Sequence, residues 1–309
     1  MTTIKYLRHH QIDQVKWDKT IDASYNGMVY AYSFFLNDMA GKRWDALVLG
    51  DYDAVFPLVW GRKYGLKYLY QPFFCQQLGL FSKTRITEDV MHQFIKKIPG
   101  KFVYWDFHLN YENNFFSPLI NFVSRTSFNI DLNQDYVSIY DKFNSDAKKN
   151  LAKSALTGYI VKTNDMPDLA AECFFKAYGH WYPNPETLKK KIIRCAYDAT
   201  QINKGFTRTI YGKDGQLWCS GFFFIAKNRI HYAMAAPTEE GKKHGATHIL
   251  IDEVLKEFSN RLMTFDFEGS DLQSVAYFYS KFGSVKKHYL EIKLNRLPWW
   301  CQMLMKTNS

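Results

Sequence analysis

Between Met263 and Gly283 the chain changes its period. In Met263-Thr264-Phe265-Asp266-Phe267-Glu268 apolar and polar residues alternate one for one, as in a strand whose successive side chains point to opposite faces. Met263, Phe265 and Phe267 share one face; Thr264, Asp266 and Glu268 share the other. Gly269 ends the strand, and Ser270-x-x-Gln273 reads as a capping box that starts a helix. Leu272, Val275, Ala276 and Tyr279 then recur at helical spacing as a buried stripe that stops at Gly283. The pattern thus sets two carboxylates at the end of a strand and a tyrosine on the inward face of the helix that follows.

The rest of the chain supplies elements in an order that repeats. A helix is predicted over 11–24 with Ile12, Val15, Trp17 and Ile21 inward, and the apolar stretch from Tyr30 to Met39 has no clear period. Strands over 44–49 and 54–60 flank the turn Gly50-Asp51-Tyr52-Asp53, with Pro57 marking the second as an edge or a bulge. After an extended stretch over 68–74 come a helix over 87–97, stopped by Pro99-Gly100, and a strand over 101–107. In the second half, helices from 145, over 165–178 and over 185–203 precede strands over 206–211, 217–226 and 229–236, an antiparallel meander, and a helix over 249–258. Trp105-Asp106-Phe107-His108 echoes Phe265-Asp266-Phe267-Glu268, and in both halves a strand pair and a helix come before this strand. Two tandem copies of one α/β unit with a mixed sheet would leave such a trace. The polar segment Asp131 to Gln134 divides the copies into 1–134 and 135–309. Residues 109–117, rich in Asn and aromatic residues, replace the capped helix in the first copy, which is therefore expected to be non-catalytic and to shape the acceptor side.

The strand, turn, helix and Phe282-Gly283 ending resembles the last part of the GNAT N-acyltransferase fold, where a helix of the form Ala-x-x-x-Tyr-x-x-x-Gly follows a strand. Tyr279 and Gly283 keep that spacing, with Val275 or Ala276 near the place of the alanine. Phe265-Asp266-Phe267-Glu268-Gly269-Ser270, followed by Ala276-x-Phe278-Tyr279-x-x-Phe282-Gly283, is similar to the tandem branch of that superfamily, the Fem-type peptidyltransferases and related acyltransferase-like proteins. The resemblance implies an acyl-CoA-dependent N-acyltransferase site in the second copy, acting on an amine of a small molecule or peptide. It implies a CoA pyrophosphate on backbone amides at a helix start, a place that suits an anion; the matching residues are Lys242, Lys243, His244, Gly245, Ala246 and Thr247, which keep the central Gly of the family pattern and depart from it at both ends. A lysine-type amine has a pKa near 10.4, so transfer needs a base, and the resemblance gives that part to Asp266 or Glu268. Backbone donors from 229–236 would face the thioester oxygen, and Tyr279 would protonate the departing thiolate. Structural roles for both acids, capping a turn or pairing with a lysine, fit the same pattern. A Fem-type donor, aminoacyl-tRNA, is the rival enzyme reading; a degenerate copy that only binds a small molecule or a protein is the non-enzymatic one.

Charge is compatible with either donor: a formal net charge of +10 attracts anions such as acyl-CoA or tRNA, although it is also found in basic proteins that bind neither. The lysine-bearing helix from Ser145 has a counterpart in the Fem-type family, and a solvated face explains it as well. No run of about 18 apolar residues is present and the N-terminus lacks a secretory pattern, so a cytoplasmic protein without a membrane span is expected. The 5 cysteines are widely spaced without a Cys-x-x-Cys pair, and His244-x-x-x-His248 lacks the zincin glutamate, so buried thiols and no metal are expected. The aromatic loop from Gly179 to Pro185 could cover a substrate or simply pack, and the apolar tail from Pro298 to Met305 is expected to dock on the body.

Overall fold

The computed structural model describes residues 3–269 and 272–297. Its contacts divide into two compact units, one formed by the chain up to Arg125 and again from His288, the other by Thr126–Lys287.

The first unit opens with strand β1 (Ile4–Leu7) and helix α1 (Gln14–Ala23). Asp13 caps α1 by accepting from the Lys16 N–H, so the helix starts later than its periodicity suggests. Trp17 and Ile21 are buried as expected, whereas Val15, two residues from Trp17, falls on the opposite face and is 65% exposed. The aromatic stretch without a clear period is the buried helix α2 (Ser33–Ala40), closed by Gly41 in the left-handed region; aromatic side chains on all sides hide a helical period when every face is covered. Strands β2 (Trp44–Leu49) and β3 (Ala54–Lys63) form the expected hairpin, and β4 (Leu66–Tyr70) returns beside the far end of β3. Pro57 lies opposite Ala46 of β2, while β4 reaches only to Trp60 and β5 (Phe81–Ser82) only to Val55. The strand is thus internal at both ends and an edge over the stretch from Phe56 to Val59 that holds the proline, where an N–H is dispensable. Thr87 caps α3 (Glu88–Lys97), whose first turn is acidic and last turn basic, and β6 (Phe102–His108) follows, parallel to β4. β7 (Asn121–Asp131) then begins in the first unit and ends in the second.

The second unit continues with α4 (Tyr136–Asp141), α5 (Ser145–Thr157), β8 (Tyr159–Thr163), α6 (Pro167–Tyr178) and α7 (Pro185–Gln201). The meander β9 (Gly205–Gly212), β10 (Leu217–Ala226) and β11 (Arg229–Pro237) leads to the short helix α8 (Glu239–Lys243) and to α9 (Ala246–Phe258). β12 (Thr264–Gly269) and α10 (Gln273–Ser280) complete it, and β13 (Val285–Asn295) pairs antiparallel with β6 of the first unit. The strand order is β1-β2-β3-β4-β6-β13 in one unit and β7-β12-β11-β10-β9-β8 in the other. The repeat seen in the sequence has a topological basis. β6, which carries Trp105-Asp106-Phe107-His108, runs parallel to β4, and β12, which carries Phe265-Asp266-Phe267-Glu268, runs parallel to β11. Each is flanked on its other side by an antiparallel strand, β13 or β7. The chain is a mixed α/β protein in which this strand arrangement occurs once in each unit.

The core of the first unit gathers Phe56, Phe94, Phe102, Trp105 and Phe107, and that of the second Phe128, Ile210, Phe223, Ile249, Phe265 and Phe267. Of the capping box, Ser270 lies outside the described residues; α10 starts at Gln273 with Leu272 half-exposed at its N-cap, and Val275, Ala276 and Tyr279 are only partly buried, so the expected buried stripe is a half-covered one. Cys75, Cys173, Cys195 and Cys219 are buried free thiols, while Cys301 and the segment from Pro298 lie outside the described residues. Among the described residues no helix is long and apolar enough to cross a membrane.

One buried acid in this unit makes a stability prediction. Asp252 of α9 is 8% exposed, accepts a hydrogen bond from the Tyr136 hydroxyl at 2.7 Å, and its carboxyl is pushed up to about 6 by burial. A carboxyl with a raised folded pKa binds its proton more tightly in the native state, so its ionisation costs stability as pH rises through 4 to 6. Asp252→Asn keeps an acceptor for Tyr136 and removes that cost. It should raise stability by about 2 kcal/mol at pH 7.5, an advantage that shrinks towards zero near pH 4. Urea unfolding of both proteins at the two pH values reads this directly, and an equal difference at both would contradict it.

Candidate active site

β11 and β12 are laddered only at their beginnings, Arg229 opposite Thr264, Ile230 opposite Phe265 and His231 opposite Asp266. Beyond that point β11 stays with β10 as far as Pro237, whereas β12, paired with β7 from Thr264 onwards, shifts its register so that Gly269 lies opposite Ser127. The two parallel strands therefore splay, and the bend falls between Asp266 and Gly269. Glu268 sits in this bend with φ at 65°, a left-handed conformation that a non-glycine residue adopts at a cost. The simple alternation of the sequence ends there, so Glu268 is not the outward twin of Asp266 that strict strand geometry predicts.

The two carboxylates accordingly have different surroundings. Asp266 is fully buried; one oxygen accepts from the Ser127 hydroxyl at 2.7 Å and the Glu268 N–H at 2.8 Å, the other from Arg229 Nη1 at 2.8 Å. Arg229 Nη1 also donates to Asn129 Oδ1 at 2.6 Å, which draws β7, β11 and β12 into one buried polar knot. Glu268 is partly exposed, with an oxygen 3.8 Å from Nδ1 of the buried His231. Burial, opposed by Asp266 and aided by Arg229, lowers the His231 pKa to about 3. The ring is thus neutral at pH 7, and its approach to Glu268 is a polar contact rather than an ion pair.

Tyr279 of α10 is partly buried, stacked on Phe267 at 4.7 Å and edge-on to Tyr232 at 6.2 Å. Its hydroxyl pKa is pushed above the usual phenol range, first by burial and then by the negative field of Glu268. Tyr182, on the aromatic loop between α6 and α7, is raised by the same two causes in the same order. Tyr178 at the end of α6 is raised by burial while Lys242 opposes it. The Tyr279 and Tyr182 hydroxyls thus lie in the field of Glu268 and stay protonated across the working range. The sequence pointed to Tyr279 and to the aromatic loop, but not to His231 or Arg229, because a strand register between distant segments leaves no local signal.

The segment expected to cradle a pyrophosphate is mostly helical. Thr238 caps α8 by accepting from the Gly241 N–H, and the N–H groups of Lys242, His244 and Gly245 donate to carbonyls within the same turn. Lys242 pairs with Glu239 at 2.6 Å and Lys243 with Glu240 at 2.7 Å. The His244 ring stacks on Trp218 at 4.1 Å, and its carbonyl accepts from Ser154 of α5 at 2.6 Å. A Cβ on Gly245 would meet Asn150 Oδ1 at 3.4 Å, and one on Gly241 would lie 1.8 Å from the Trp218 carbonyl, so α5 and β10 close on this junction. Ala246 is buried, and Thr247 lies on the first turn of α9.

No protein-family model matches the chain, and no curated protein matches it by sequence. Solved structures do match it by fold. FemX superposes with a TM-score of 0.68 at 10% identity, covering 97% of this chain and 99% of that one. The C-terminal domain of a putative lysylphosphatidylglycerol synthetase from Agrobacterium fabrum has a TM-score of 0.55 at 10% identity, covering 95% of each chain. A tandem GNAT protein from the clavulanic acid biosynthesis pathway has a TM-score of 0.53 at 10% identity, covering 96% of this chain and 99% of that one. With its splayed parallel pair in the second unit and the matching strand order in the first, the chain has the tandem GNAT fold, in the form it takes in FemX.

Proposed function

We propose that the second unit transfers an acyl group to an amine, with Glu268 as the base and Tyr279 as the proton donor to the leaving group. The observation that carries this reading is the position of Glu268: a carboxylate held at φ 65° in the bend where β12 leaves β11, beside a neutral His231 and close enough for its charge to raise the Tyr279 hydroxyl. Backbone strain kept at a site that glycine would occupy more cheaply points to a side chain needed for chemistry. The base is Glu268 rather than Asp266, because both Asp266 oxygens already accept buried hydrogen bonds. In the reaction the amine nitrogen attacks the acyl carbon, Glu268 takes the nitrogen's proton, and the bond to the leaving group breaks as Tyr279 protonates it.

The residues from Lys242 to Thr247 are poorly suited to holding a pyrophosphate on their amides, since the N–H groups of Lys242, His244 and Gly245 are bonded within the turn, both lysines are paired with glutamates, and α5 packs over Gly245. That favours the Fem-type donor, an aminoacyl ester on tRNA, over acyl-CoA; the +10 charge is suited to such a donor. The acceptor is an amine of a small molecule or peptide. The test is amide formation, read by mass spectrometry, from aminoacyl-tRNA or from acyl-CoA across a panel of amines, together with thermal unfolding in the presence of each donor. Aminoacyl-tRNA should yield amide and raise the unfolding midpoint, with an effect that falls steeply with salt. A rise of several degrees with acetyl-CoA that survives moderate salt would reverse the choice of donor, and no amide from either donor would sink the acyltransferase reading.

A further inference from the structure

We propose that the tip of the β3–β4 hairpin in the first unit is a nucleotide site, in which Arg43 and Arg62 hold the phosphates and Tyr64 stacks on the base. Arg43, Trp60, Arg62, Tyr64 and Gly65 line a cavity of about 500 Å³ here, a volume within the range of small-ligand sites. It opens at the start of β4. The stretch that follows β4 is instead filled by the protein's own polar groups, where Asn26, Asn110 and Asn113 donate to the Leu80 carbonyl at 2.8–3.0 Å.

The cavity walls are cationic and aromatic, with no acid among the lining residues. Among the described residues neither Arg43 nor Arg62 forms an ion pair with a carboxylate. The Trp60 backbone N–H donates to the Arg43 carbonyl at 3.0 Å, which fixes the Arg43 main chain at the cavity, and Arg62 Nε donates to the Gly65 carbonyl at 3.3 Å, which holds the Arg62 guanidinium beside it. Lys67 Nζ stands 3.9 Å from the centre of the Trp60 ring, and Lys63 Nζ stands 5.4 Å from that of Tyr64. Two guanidinium groups offer forked donors that match phosphate oxygens better than scattered lysines do.

Tyr64 supplies the second part of the argument. With Gly65 it forms the turn of the hairpin, at φ 50° followed by φ 81°, and it is 87% exposed. Tight hairpin turns of this hand favour Asn or Gly at the first position. A tyrosine there is strained and buries almost nothing, so the fold gains little from it, while an exposed ring beside cations is a stacking platform for a base. A bare phosphate would leave that ring unused. A nucleotide uses both parts, either free or as the single-stranded end of an RNA.

Isothermal titration of the full chain with ADP, pyrophosphate, adenosine and a short single-stranded oligoadenylate tests this. ADP should bind more tightly than pyrophosphate, and adenosine about tenfold or more weakly than ADP. Arg43→Ala and Arg62→Ala should each weaken ADP binding about tenfold, with Arg62→Lys recovering part of the loss. Tyr64→Ala should weaken ADP and leave pyrophosphate unchanged. Oligoadenylate binding tighter than ADP would assign the site to an RNA end, and the reverse order to a free nucleotide. Failure of both to bind, or binding indifferent to both arginine substitutions, would overturn the proposal.

Discussion

Asp266→Ala should destabilise the second unit by about 3–5 kcal/mol, the usual cost of removing one partner from a buried ion pair. The substitution removes the carboxylate paired with Arg229, whose side chain is 15% exposed and whose Nη1 also donates to Asn129. It also removes the acceptor of the Ser127 hydroxyl and of the Glu268 N–H, both within 2.8 Å of Asp266. Replacing both members of the pair, Asp266→Leu with Arg229→Met, should recover most of the loss, because the expense lies in the uncompensated charge rather than in the absent attraction. Denaturant unfolding of the single and double variants reads the coupling. A single variant within about 0.5 kcal/mol of the parent would mean that water reaches this site and that Asp266 is not the anchor of the bend.

The knot also explains which parts of the fold could be read from the sequence. Elements with a clear period or cap lie close to where the chain's pattern puts them: α3 behind Thr87, the hairpin of β2 and β3, the meander of β9 to β11, and the alternating β12. The repeat of order was visible because the same parallel pair is built twice, from β4 with β6 and from β11 with β12. Long-range register was not. That β11 and β12 would pair for three residues and then part, or that His231 would lie opposite Asp266, depends on contacts between segments far apart in the chain. Pro57 marks β3 as an edge or a bulge, and the edge holds at the proline; that the strand is covered on both sides at its two ends depends on the lengths of β4 and β5, which the sequence does not show. The segment Lys242 to Thr247 showed a glycine before a helix, but the helical turn of α8 and the cover supplied by Asn150 and Ser154 are tertiary effects. The left-handed bend at Glu268 gave no warning at all, since the residue type argues against it.

That bend leads to the second large effect. Glu268→Gln should lower turnover about 10²–10⁴-fold, the usual contribution of a positioned general base, while the thermal midpoint stays close to that of the parent. Glutamine keeps the side chain's length and its reach towards His231, so the loss isolates the carboxylate charge from the shape of the bend. Glu268→Gly separates the same residue from its backbone. With φ at 65° the position suits glycine, so this variant should gain about 1 kcal/mol in stability while losing as much turnover as the glutamine variant. Opposite signs for stability and activity at one residue are expected of a side chain retained for chemistry at a structural cost. The neighbouring acid should behave differently, since Asp266→Ala loses stability first and activity through it. If Glu268→Gln turns over at nearly the parental rate on the donor that forms amide, another residue is the base. A Glu268→Gly variant less stable than the parent would show that the side chain is held for packing, and the left-handed bend would then carry no functional meaning.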